Sequence, residues 1–274
     1  MEAMPRDIGF KNIRCSAPTG AADAAWFMPS DSDRCWVEAP RRHMRGVSSG
    51  IVPLSRSRDS PAMSEEAIRH LSRDRRFAAL IRRVGPPRLV VEKQRSPYEA
   101  LTRAIAHQQL HGRAAVAILG RFEALFPGQS FPTPAQVLAT EETALRACGF
   151  SATKIACIRA IAAATLDGTI PTRSESARLS DEALIERLTT IRGVGRWTVE
   201  MLLIFCLGRP DVLPVDDFGV RDGYRVLHKL AAQPKPRELA ELGLRWAPHR
   251  SLAAWYLWRA SDEAKRAAAA SSRA

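Results

Sequence analysis

Cysteine is scarce and scattered in this chain, and that removes several kinds of chemistry at once. The five cysteines are Cys15, Cys35, Cys148, Cys157 and Cys206. No two stand at the spacing of a zinc knuckle, and no four form the close run that holds an iron–sulfur cluster. No metal and no cofactor is therefore expected. An odd, scattered set of thiols argues for a reducing compartment, with the cytoplasm expected. Long apolar runs are also missing. Residues 201–207 form the longest one, far too short to span a membrane. The N-terminus lacks the basic-then-apolar order of a secretory signal. Strand-like patterning is confined to residues 89–91, so no sheet is expected.

Acid is in short supply too. Lys and Arg number 41 against 29 Asp and Glu, a formal net charge of +12. An excess of cations suits a polyanionic partner, because phosphate contacts supply the sequence-independent part of nucleic-acid affinity. With 274 residues, 46% of them hydrophobic, the chain can bury a substantial core.

Residues 1–62 are rich in Pro, Gly, Ser and Arg without apolar phasing and read as a flexible extension, with Met63 an alternative start. From 63 to 262 the pattern is helical almost throughout. Ile68, Leu71, Phe77, Leu80, Ile81 and Val84 recur at helical spacing until Gly85 and two prolines stop them. Ser96-Pro-Tyr-Glu99 reads as a capping box with proline at the first helical position. Thr133-Pro134, Ser151 and Ser180 open further helices. Short helices with repeated caps indicate a compact all-α domain. Residues 263–274 read as a frayed helix end or disordered tail.

Two segments carry chemistry. The first, Leu188 to Glu200, sets Gly193 and Gly195 between a helix ending near Ile191 and another starting near Trp197. Glycine allows positive φ and close backbone approach. A helix start offers unpaired N–H groups and a positive dipole end, together a grip for phosphate. A plain helix–helix turn would show the same glycines. The second segment, Pro214-Val-Asp-Asp-Phe-Gly-Val-Arg221, sets two carboxylates about 20 positions farther on. Asp after Pro-Val also fits a surface turn. Trp197 could be core filler or an aromatic face for a cationic base.

Taken with Leu188, Ile191, Trp197 and Thr198, the glycine pair resembles the helix-hairpin-helix of the HhH-GPD superfamily of base-excision DNA glycosylases. Arg192 stands where that family often has proline. Gln108-Gln-Leu110 resembles the family's Gln-Gln-(Val/Leu)-Ser segment, with His111 in place of the serine. Trp246-Ala-Pro-His-Arg-Ser251 resembles the segment leading into its last helix. From Met63 to about Ala260 the likeness is continuous, and it is greatest to the DNA-3-methyladenine glycosylase II family.

The resemblance implies two helical subdomains, a hairpin at about 184–207 and an active-site cleft between the halves. It implies a monomer acting on double-stranded DNA that contains alkylated bases. Asp217 is the expected catalytic acid and Asp216 the runner-up, serving otherwise as helix cap or neighbour. Trp197 and Gln108 are expected at the base pocket, and Gln109 or Leu110 as a wedge filling the gap left by a flipped base. Arg192, Gly193, Val194, Gly195, Arg196 and Thr198 are expected on the DNA phosphates. Lys154 is expected to help hold the backbone, and Arg250 to brace the acid or reach a phosphate. Trp197 replaces the lysine that forms a Schiff base in bifunctional members, which implies hydrolysis by water. A non-catalytic DNA-binding module and a glycosylase for oxidised or deaminated bases are the alternatives.

Overall fold

The computed structural model describes residues 65–272 apart from 109 and 111. Gln109, one of the two expected wedge residues, and the 1–62 extension lie outside the described residues. Thirteen α-helices follow one another among those residues, with no strand. None is long and apolar enough to cross a membrane.

Helices α1 (Glu65–Leu71) and α2 (Arg75–Val84) begin at the N-terminal end but pack against the C-terminal ones. Phe77 of α2 is fully buried and meets Trp246 edge-on at 5.2 Å. Helices α3 (Pro97–His107), α4 (Gly112–Ala124), α5 (Pro134–Ala139), α6 (Glu142–Ala147) and α7 (Ala152–Leu166) build the other side of the molecule. Phe122 centres that side, touching Phe126, Phe131 and Phe150 edge-on. Such aromatic pairing adds to the stabilisation from burial alone.

The short α8 (Arg173–Ser176) and α9 (Asp181–Leu188) lead to the hairpin and α10 (Arg196–Met201). A wider π-helical stretch, Leu202–Leu207, continues α10. Helices α11 (Phe218–His228), α12 (Pro236–Gly243) and α13 (Arg250–Ser271) complete the chain, with α11 and α13 packed closely together. The two sides share one continuous hydrophobic core.

The start signals of these helices work through local hydrogen bonds. Ser96, Ser151 and Ser180 each accept the N–H three residues on. Thr133 and Gln136 form a full capping box. The box expected at Ser96 is half made, because Glu99 turns instead to Arg103 at 2.8 Å and Arg95 at 3.5 Å. Residues 89–91 form no strand; Leu89 is buried, Val90 is exposed, and Glu92 N–H donates to the Phe205 carbonyl. Of the two readings of residues 263–274, a frayed helix end or a disordered tail, the described residues show helix, since α13 runs on to Ser271. Its last turns are rich in alanine, the best helix former, and Glu263 pairs with Arg83 at 2.8 Å.

Candidate active site

The hairpin is held from below by its apolar residues. Ile191 and Val194 are buried, and the Val194 N–H closes a turn onto the Ile191 carbonyl at 3.0 Å. Gly193 has φ of +83°, and a Cβ placed there would lie 2.0 Å from Cys157 Sγ. Both the backbone angle and the contact with α7 demand glycine at that position. Gly195 caps α10 with no side-chain bond, and a Cβ there would meet nothing within 4 Å. The start of α10 therefore opens outward. Arg192 and Arg196 are exposed beside it. Two expected phosphate ligands face the other way. The Val194 side chain plugs the core, and Thr198 is 1% exposed with its Oγ1 accepting Gln108 Nε2 at 3.1 Å.

Asp217 is buried and Asp216 is exposed, which separates the two acids. Asp217 is itself the N-cap of α11, the role expected of Asp216, through Val220 N–H to Oδ1 at 2.8 Å. Trp258 Nε1 donates to the same oxygen at 2.8 Å, and Trp197 Nε1 donates to Oδ2 at 2.8 Å. The carboxylate is thus fixed by three N–H donors from three elements. Trp258 lies alongside Phe205, with ring centres 5.7 Å apart and planes 30° from parallel. A Cβ on Gly219 would sit 2.8 Å from the Trp258 ring, so the missing side chain makes room for that indole.

Trp258 and Glu200 are site residues that sequence reasoning missed. A signal for Trp258 existed: a buried indole N–H needs an acceptor. Glu200 also left one, as a lone acid leading into an apolar run. Its side chain is 4% exposed and accepts Arg196 Nε at 3.0 Å. Burial pushes its carboxyl up to about 7, with the charges of Asp216 and Asp217 adding to the rise and Arg196 opposing it. Glu200 therefore lies within electrostatic reach of both Asp216 and Asp217.

Lys154 and Arg250 are placed differently from expectation. Lys154 Nζ donates to the carbonyls of Ala106 at 2.8 Å and Gln108 at 2.7 Å, inside the fold rather than toward a ligand. Arg250 forms a two-pronged pair with Asp211, at 2.8 and 2.9 Å, and braces neither Asp216 nor Asp217. Gln108 reaches the hairpin side through Thr198, and Leu110 is partly buried against the core. His107 is driven down to about 4 by burial and by the charges of Arg103, Lys154 and Arg95, so it is neutral at physiological pH. Among the described residues no group of three or more His, Cys, Asp or Glu could hold a metal ion.

A helical hairpin whose second helix starts without a side-chain cap, beside a deeply anchored carboxylate, is an arrangement for chemistry on nucleic acid. The profile of the HhH-GPD superfamily of base excision DNA repair proteins matches residues 102–249. DNA-3-methyladenine glycosylase 1 of Schizosaccharomyces pombe is 50% identical over 196 residues, covering 70% of this chain and 85% of that protein. An alkylbase DNA glycosidase-like protein of the same yeast is 38% identical, covering 71% and 92%. The solved structure of the S. pombe 3-methyladenine DNA glycosylase in complex with abasic DNA superposes with a TM-score of 0.67. Identity is 48% there, over 71% of this chain and 95% of the other. The chain belongs to the HhH-GPD superfamily, within its 3-methyladenine DNA glycosylases.

Proposed function

We propose that this protein flips an alkylated purine out of duplex DNA and hydrolyses its glycosidic bond, leaving an abasic site without cutting the strand. Alkylation at N3 or N7 gives the purine a positive charge, so the base leaves readily and little acid catalysis is needed. The bond electrons depart with the base while positive charge builds on the sugar. A preorganised carboxylate at that point stabilises the developing cation. It also orients a water for attack and takes up its proton. The observation that carries this reading is the fixing of Asp217 by Trp197, Trp258 and the α11 amide. A helix cap alone requires only the last of these.

Trp197 stands where a Schiff base would need an amine, so the nucleophile is water. The start of α10 at Gly195, without a side-chain cap and with Arg192 and Arg196 alongside, fits a phosphate of the distorted strand. The alkyl-base names of the family's members support this substrate class, and the fixed Asp217 carboxylate suits a cationic base.

The test is base release from methylated duplex DNA, followed with and without alkali. Free methylated purine and strand breaks only after alkali are expected. Asp217→Asn should cut base release by at least about 100-fold, on the scale of other preorganised electrostatic groups, while binding to DNA persists. Asp216→Asn should remain active. The reverse pattern moves the catalytic role by one residue, and breaks without alkali overturn the hydrolytic reading.

A further inference from the structure

Lys154 sits in the first turn of α7, where a cation opposes the helix dipole. Its location makes sense from the far end of its side chain. Nζ meets the carbonyls of Ala106 and Gln108, two acceptors at the C-terminal end of α3 where helical partners run out. A cation at a helix C-terminus is favourable, and an ammonium can donate to two carbonyls at once. Burial lowers the Lys154 ammonium from its ordinary value, consistent with protein carbonyls replacing water around it. The chain of bonds continues from there. Gln108 Nε2 donates to Thr198 Oγ1, and Trp197, next to Thr198, donates to Asp217.

We propose that Lys154 is a positioning residue that locks the turn after α3 to the hairpin side of the site, so that Gln108 faces the displaced base, and Leu110 the gap it leaves, in register with Asp217. The proposal rests on the glycosylase reading above. It assigns Lys154 no contact with DNA. Misplacing a positioning element by about 1 Å can cost on the order of 100-fold in rate, so a clamp of this kind shows in the chemical step.

The experiment uses the full chain carrying Lys154→Met, which keeps an unbranched side chain one atom shorter and removes the donors. Single-turnover base release from methylated duplex should slow by about 10- to 100-fold. The slope of log Kd against log salt should stay unchanged. Loss of a phosphate contact would instead reduce that slope by about 0.9. A reduced slope with an unchanged single-turnover rate overturns the proposal in favour of a phosphate ligand. Thr198→Val breaks the next link with an isosteric side chain and provides the same reading if Lys154→Met does not fold. An unchanged rate in the folded variants also overturns the clamp. A wild-type protein that releases no methylated base sinks the glycosylase reading itself, which is a separate outcome.

Discussion

Trp258 shows how one side chain serves both packing and chemistry. Its ring is 5% exposed between Phe205 and Gly219, and its N–H ends on Asp217 Oδ1. Replacing it with Phe keeps an aromatic ring but leaves Oδ1 with the Val220 amide alone. Removing one partner from a buried hydrogen bond to a charged group costs about 1.5–3 kcal/mol. Trp258→Phe should therefore lower the melting temperature and also reduce base release at saturating DNA. A loss of stability with no loss of rate would confine Trp258 to packing. Glu200 permits a sharper test because its carboxyl is raised from 4.5 to about 7. The folded protein then binds a proton that the unfolded chain has released, so the stability tied to Glu200 is complete below about 4.5 and is lost as pH rises through 7. That difference is on the order of 3 kcal/mol for such a shift. Glu200→Gln, which cannot ionise, should match the wild type in melting temperature at pH 5 and exceed it at pH 8. Parallel profiles for the two proteins would rule out Glu200 as the titrating group.

Among the elements, the hairpin was the most legible in the sequence. The glycine pair alone fits any tight helix–helix turn, but with Leu188, Ile191, Trp197 and Thr198 beside it the hairpin stands out, and Gly193 indeed takes positive φ against Cys157. Gly193→Ala should destabilise the protein by more than the roughly 1–2 kcal/mol of the left-handed angle alone, because the new methyl meets a thiol. Adding Cys157→Ala should recover part of the loss in a double-mutant thermal melt, and no recovery would mean that the contact is not the cause. Gly195→Ala should stay within about 0.5 kcal/mol of wild type yet weaken DNA binding. Helix starts were equally legible, since a serine or threonine cap bonds within its own first turn. Long-range polar partners were not. Lys154 finds its carbonyls 46 and 48 residues away, and Arg250 finds Asp211 39 residues away. No periodicity marks such pairs, so Lys154 was expected on the DNA backbone and Arg250 on the acid or a phosphate, whereas tertiary structure engages both elsewhere. The tail of α13 escaped for another reason: helix propagation from an already folded segment needs no new nucleation.

For the whole molecule, a net charge of +12 says that DNA binding is electrostatic but not which cations carry it. The fold sorts them. Arg250 is committed to Asp211, Lys154 to backbone carbonyls, and Arg196 is partly held by Glu200. Arg192 is exposed on the hairpin turn itself. Each phosphate neutralised in duplex DNA contributes about −0.9 to the slope of log affinity against log salt. Arg192→Ala should therefore make the slope shallower by about one unit and weaken binding to all sequences alike. Arg250→Ala should leave the slope unchanged while lowering the melting temperature, because it strands Asp211 without its guanidinium partner. Measuring both variants by fluorescence anisotropy over a salt series separates the two roles. If Arg250→Ala lowers the slope and Arg192→Ala does not, the DNA lies across the start of α13 instead of the hairpin, and the phosphate grip assigned to Gly193–Gly195 is lost with it.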